Sequence, residues 1–162
     1  MILYHGSIER VDKPEIRDAN RTLDYGNGFY TTTSEEQAKL WVKRKLGKNG
    51  GTGYVNIYDV DEEEIKSLKT LYFRTPTEGW LDFVMDNRTD INFKHDYDIV
   101  WGPVANDRVY AAFALYESNL LDKQGLIKEL RTHVLVDQLL FHTERSLSCL
   151  KFKEAKEVVY EP

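Results

Sequence analysis

Apolar positions along this chain come in short runs, and their spacing alternates between the period of a strand and that of a helix. Ile2-Leu3-Tyr4 predicts a first short strand. The polar segment that follows, to about residue 24, holds Pro14 with scattered Arg and Asp and reads as a long loop or a loop with a helical turn. Asp24 to Gly28 is a turn cluster, and Phe29-Tyr30-Thr31-Thr32 behind it is a run of β-formers that predicts a second strand. Ser34 with Gln37 three residues on has the form of a capping box. Ala38, Trp41, Val42 and Leu46 then recur at helical spacing until Gly47, which predicts a helix over about 35–46. The glycine-rich stretch 47–53 lacks a Gly-Lys-Ser/Thr ending with a helix behind it, so it reads as a hairpin-like connection rather than a phosphate loop. A strand over 54–60, a short helix opened by the acidic residues 61–64 and a strand over 71–73 come next. Thr77 opens a helix whose Trp80, Phe83, Val84 and Asn87 share one face. Residues 97–101 read as a strand broken by Gly102-Pro103, 106–118 and 122–132 as helices, and 134–141 as a strand. A last helix over about 144–150 and an edge strand over 151–160 close the pattern.

Strands and helices mix here without a regular βαβ rhythm, so the class is α+β rather than a doubly wound sheet. With 162 residues, of which 41% are hydrophobic, the chain suits one domain over 1–162 with one sizeable core. Charge then narrows the partners. A net charge of -5 with 30% charged residues opposes broad, nonspecific attachment to a phosphate backbone or an anionic membrane, and leaves nucleic acid only a local patch to bind. The single cysteine, Cys149, excludes an internal disulfide framework or a thiolate metal cluster and fits a reducing, cytoplasmic setting. The opening residues lack a basic region followed by a long apolar core, and no run approaches the ~18 apolar residues of a membrane span. His5, His95, His133 and His142 show none of the usual metal-ligand spacings, so no metal is expected.

The candidate chemistry lies at three strand ends: His5-Gly6-Ser7, Gly26-x-Gly28-Phe29-Tyr30, and Asp137-Gln138-Leu139-Leu140-Phe141. In that order LYHGS, GNGFYTT, Trp41 eleven residues after Tyr30, and QLLF resemble the fingerprint of the ADP-ribosyltransferase superfamily, in its diphtheria-toxin and poly(ADP-ribose) polymerase branch of the His-Tyr-Glu type. The resemblance implies a split β-sheet core with flanking helices and an NAD-dependent, mono-ADP-ribosyl transfer that cleaves the nicotinamide-ribose bond. It implies catalytic roles for His5, Tyr30 and Gln138. It also implies NAD contacts from His5, Gly6, Ser7, Gly28, Phe29, Tyr30 and Trp41, while Arg17 and Arg21, together with Arg10, are candidates for the pyrophosphate because guanidinium forks suit phosphate oxygens.

The residue types suit that chemistry. Tyr30 offers a flat face to a nicotinamide ring, Trp41 a second wall, and Gly6 a backbone edge that a ligand can approach closely. His5 can hydrogen-bond a ribose hydroxyl through one ring nitrogen. Two positions depart from the pattern. Gln138 stands where the relatives carry glutamate, and it keeps the hydrogen-bonding shape without the charge; Asp137 beside it should point to the opposite face of the strand, which leaves Glu144 or a group on the target as the alternative carboxylate. Ala38 stands where many relatives place a serine. A non-catalytic NAD or ADP-ribose binding module, an NAD glycohydrolase, and a structural or partner-binding domain with a closed cleft stay open beside the transferase. The acceptor stays open between protein, nucleic acid and small molecule, and the bacterial relatives' habit of acting as toxins implies an antitoxin partner and, in some, delivery into a target cell by a separate system.

Overall fold

The computed structural model describes residues 1–18, 21–104, 107–131 and 135–162. Within them the strands are β1 (Ile2–Ser7), β2 (Phe29–Thr31), β3 (Gly51–Asp59), β4 (Thr70–Tyr72), β5 (Ile99–Pro103), β6 (Asp137–Phe141) and β7 (Lys151–Tyr160). The helices are α1 (Glu35–Leu46), α2 (Glu62–Ser67), α3 (Glu78–Thr89), α4 (Asp107–Glu117), α5 (Lys123–Arg131) and α6 (Glu144–Leu147). The class is α+β. One sheet has the order β1-β3-β7 and is antiparallel throughout; the other has the order β2-β6-β5-β4, with β4 and β5 parallel.

Among the described residues, backbone hydrogen bonds join the two sheets at one pair. Tyr4 N donates to Thr32 O at 2.8 Å and Thr32 N returns a bond to Tyr4 O at 2.9 Å. Beyond that pair the strands part, and the opening between them is the origin of the cleft described below. The alternation of β6 shows how the core is divided: Leu140 joins Tyr25, Trp80, Val84 and Phe113 under α3, α4 and α5, whereas Leu139 and Phe141 face Leu3, Phe29, Tyr58 and Ile65 on the other side. Ala38 and Val42 of α1 cover Val55 and Ile57 of β3. Each such Leu, Val or Phe contributes roughly 1.5 to 3 kcal/mol by leaving water. No helix among the described residues is long and apolar enough to cross a membrane.

Local signals set several elements where the pattern predicts them. Ser34 Oγ accepts from Gln37 N at 3.2 Å at the start of α1, and Thr77 Oγ1 from Trp80 N at 3.1 Å at the start of α3. Other boundaries differ for nonlocal reasons. β1 runs on through Gly6 and Ser7, which pair with Val55 and Tyr54, so His5 lies inside a strand and not at its end. β3 begins at Gly51, not residue 54, because the glycine-rich stretch pairs with Val158 to Tyr160 after one 3-10 turn at Gly47–Asn49. β5 starts later than Tyr97 and continues through Gly102 and Pro103, which pair with Gln138 and Asp137. α6 stops at Leu147. Residues 106, 132 and 134 at the ends of expected elements, and His133, lie outside the described residues.

Candidate functional site

A cavity of about 950 Å³ opens where the sheets part. β1, β2, β6, α1 and the described part of segment 9–24 all contribute to its wall. The register at Tyr4 and Thr32, continued by two residues, would set Gly6 opposite Tyr30. Side chains take the place of that backbone pair. His5 Nδ1 donates to Tyr30 O at 2.6 Å, and Lys45 Nζ donates to Gly6 O at 2.8 Å, so the two carbonyls that would close the sheet are held apart.

His5 is fixed in orientation and tautomer by this contact. A carbonyl can only accept, so Nδ1 carries the hydrogen and Nε2 keeps its lone pair as the ring's remaining polar atom. The ring stacks on Phe29 at 3.9 Å between centroids and 24° between planes. Burial, with the positive Lys45 beside it, pushes the His5 pKa down to about 3, and the Tyr30 carbonyl opposes this only in part. The imidazole is therefore neutral at physiological pH. Because the unfolded chain takes up this proton near pH 6.5 and the folded chain only near 3, protonation between those values favours unfolding. Stability is expected to fall on acidification through that window more steeply in the native protein than in a His5→Asn variant, whose Nδ2 can still donate to Tyr30 O. Urea midpoints at pH 7 and 4.5 test this, and parallel losses in the two proteins would refute it.

Gly6 and Gly28 have a packing role that the sequence reading did not assign. A Cβ on Gly6 would lie 2.2 Å from Ala38 O and 3.1 Å from Trp41 Cβ, so the absent side chain lets α1 settle on β1. A Cβ on Gly28 would lie 2.5 Å from both Leu140 Cδ1 and Phe141 O, against β6. Both glycines line the cleft, but what they meet most closely is protein. Ser7 is buried and its Oγ accepts from Glu9 N at 3.2 Å, which turns the chain out of β1. Trp41 is half-buried on the helix face that crosses Gly6 and lines the cleft.

Phe29 is buried between His5 and Tyr58. Tyr30 lines the cleft, yet its hydroxyl is engaged elsewhere: it donates to Gly26 O at 2.6 Å and accepts from Tyr25 N at 3.1 Å. Its ring is thus braced against the 25–28 turn. Two histidines hold the same turn from behind. His95 Nε2 donates to Tyr25 O at 2.8 Å, its Nδ1 accepting from Tyr97 N, and His142 Nδ1 donates to Asn27 O at 2.5 Å. Their rings lie 4.1 Å apart.

Gln138 is buried, lines the cleft and shares the face of β6 that carries Leu140. Its amide Nε2 is 3.4 Å from Pro103 O, the same carbonyl to which the Tyr25 hydroxyl donates at 2.8 Å. Asp137 points the other way and is consumed by Thr33 N, Thr33 Oγ1 and Trp101 Nε1 at 3.0, 2.7 and 2.9 Å. Glu144 is exposed at the start of α6 and is not part of the cleft wall.

Charge on the wall opposes that of the whole chain. Six cationic side chains (Lys13, Arg17, Arg21, Arg44, Lys45 and Arg88) face three carboxylates (Glu9, Glu15 and Asp24), in a protein whose net charge is -5. Arg17 lies 3.2 Å from Glu9 and 3.7 Å from Glu15, both exposed pairs of little energetic weight. Arg10 sits over the Phe152 ring and is not on the cleft wall, unlike Arg17 and Arg21. Asp24 is mostly buried, which raises its pKa against the opposing pull of Arg88 3.7 Å away.

Sequence reasoning missed Lys45, Arg44, Arg88, Asp24 and Asn56. Asn56, fully buried on β3 opposite His5, donates to Glu9 O at 3.1 Å and accepts from Val11 N at 2.8 Å, and so ties the 9–11 segment along the rim. A polar residue inside an otherwise apolar strand was the only local signal for it.

A family model described as a protein of unknown function, DUF3990, matches residues 1–152, and the chain belongs to that family. Comparison with curated proteins and with solved structures yields no match.

Proposed function

We propose that this protein binds NAD in the cleft and transfers a single ADP-ribose from it to an acceptor, releasing nicotinamide. The observation that carries the reading is the meeting of His5, Tyr30 and Gln138 in one cavity whose wall is cationic. A dinucleotide needs both: a small polar end for nicotinamide and ribose, and positive charge for two phosphates. Two sheets that touch at Tyr4 and Thr32 and then part are also in keeping with the split-sheet core expected of the ADP-ribosyltransferase superfamily.

In the reaction the bond between ribose C1′ and the pyridinium nitrogen breaks, and its electron pair leaves with neutral nicotinamide. Positive charge develops on C1′ and the ring oxygen, and an acceptor lone pair then attacks C1′ and loses its proton to solvent or a base. Neutral His5 accepts a ribose hydroxyl at Nε2, an assignment its low pKa favours because the ring adds no positive charge beside the developing cation. Tyr30 and Trp41 enclose the flat ring, Phe29 backs the His5 imidazole from the other face of β2, and Arg17 and Arg21 meet the pyrophosphate. Gln138 supplies a hydrogen bond without charge, and the missing carboxylate costs about 2 to 4 kcal/mol, or roughly two to three decades in rate. Slow turnover follows.

The experiment is incubation with NAD labelled in the adenylate, alone and with total cell lysate. Nicotinamide release, with label entering protein or nucleic acid, is the expected result; neither NAD binding nor release under any condition would refute the proposal. One observation favours a second reading. The Gln138 amide is within reach of Pro103 O as an ordinary buried polar group, which suits a module that binds NAD or ADP-ribose without cleaving it. That module binds NAD and releases no nicotinamide. As in bacterial relatives of the superfamily, a toxin role would bring an antitoxin partner.

A further inference from the structure

The parted sheets leave Gly6 O without a strand partner, and a lysine has taken it. Lys45 lies on α1 at helical spacing from Ala38 and Trp41, the two residues that cross Gly6. The residue as a whole is exposed, but its ammonium reaches back to Gly6 O at 2.8 Å. That carbonyl is its one hydrogen-bond partner among the described residues, and it makes no ion pair there. Its electrostatic neighbours are mostly alike in sign: burial and the repulsion of Arg21 and Arg17 lower its pKa, with only Glu9 opposing. Cations crowded around one cavity repel one another until an anion enters.

Resting on the NAD reading above, we propose that Lys45 is an exchangeable occupant of the cleft: with no ligand bound its ammonium holds Gly6 O, and on binding it moves to a phosphate oxygen and leaves that carbonyl to the ligand's carboxamide N-H. The exchange gives the site its preference. A neutral amide such as free nicotinamide must displace a charge-assisted bond and offers the ammonium nothing in return. A nucleotide that carries both amide and phosphate supplies the new partner itself. No bond of the protein is made or broken covalently; one donor changes acceptor.

Calorimetric titration of the whole protein with NAD, ADP-ribose and nicotinamide tests this. Lys45→Met keeps the stem and removes the charge. It should weaken NAD and ADP-ribose about tenfold and tighten nicotinamide about threefold, opposite signs that a general loss of structure would not produce. Lys45→Arg keeps a cation and should bind NAD near the native level. Thermal midpoints of the variants within a few degrees of the native protein establish that they fold. If Lys45→Met moves NAD and nicotinamide in the same direction, or moves neither, the exchange is wrong while NAD binding stands. If the native protein binds none of the three ligands, the NAD reading fails and the exchange fails with it.

Discussion

Gly6→Ala should be among the most destabilising single-methyl additions this protein can receive. The new Cβ would meet the backbone oxygen of Ala38 at 2.2 Å, a contact that no rotamer change relieves. Either β1 or α1 has to move. β1 is held by six paired positions along β3, and α1 by its Ser34 cap and by Ala38 and Val42 packed on Val55 and Ile57. Overpacking of this kind costs about 3 kcal/mol or more when the atom met most closely is backbone. For a domain of this size that corresponds to a fall in thermal midpoint of roughly 6 to 12 °C. Gly47→Ala is the control. Nothing lies within 4 Å of a Cβ there, so it meets no clash and registers only the strain of a positive φ of 64°. If Gly6→Ala melts no lower than Gly47→Ala, the close approach of α1 to β1 is not what the glycine is for.

Gln138→Glu should separate catalysis from stability, moving the two in opposite directions. The present amide is placed to donate to Pro103 O; a carboxylate there presents lone pairs to that carbonyl and is buried against Tyr25. Stability at neutral pH is expected to fall by about 1 to 3 kcal/mol, the cost of an unsatisfied buried pair. Burial and the facing carbonyl should raise the new carboxyl's pKa, so both the loss of stability and any gain in rate grow as pH rises and the group ionises. Nicotinamide release from NAD is expected to increase on the order of 100-fold at pH 8, through stabilisation of the cationic ribose. Initial rates and urea midpoints at pH 6 and 8 measure the two effects. A variant that is less stable, still binds NAD, and releases no more nicotinamide than the native protein would leave the binding module as the better reading.

What could be read from the sequence was what neighbouring residues decide. α1 and α3 carry their own caps at Ser34 and Thr77, and the amphipathic spacing within each leaves little freedom in where it lies. β1 looked too short because Gly6 and Ser7 have weak strand preference, and only pairing with Val55 and Tyr54 recruits them. Gly102-Pro103 looked like a strand end for a similar reason. In the fold Gly102 makes room for Tyr25, whose hydroxyl would lie 2.4 Å from a Cβ there, and Pro103 offers its carbonyl to the same hydroxyl. The site divided along the same line. The motif residues announced themselves through order along the chain, and the structure gathers His5, Gly6, Ser7, Arg17, Arg21, Gly28, Phe29, Tyr30, Trp41 and Gln138 around one cavity. Lys45 and Arg44 lie in the basic last turn of α1, a place where cations are common on any helix, Arg88 draws no reading from the sequence, and Asp24 reads only as part of a turn. Their place on the cleft depends on the long-range meeting of α1, α3 and the 21–24 segment, which no local pattern records.

The bracing of Tyr30 extends further than the cleft. Its hydroxyl takes Tyr25 N, and the Tyr25 hydroxyl in turn takes Trp80 Nε1 at 2.8 Å inside the core. A wall residue of the cavity and a fully buried indole are therefore two hydrogen bonds apart, with Tyr25 between them. Trp41 lies on the wall itself. Two of the protein's three tryptophans thus lie at different depths: one that a stacked nicotinamide ring would quench directly, and one that would register, by a shift in its emission, whether the wall yields as the cavity fills.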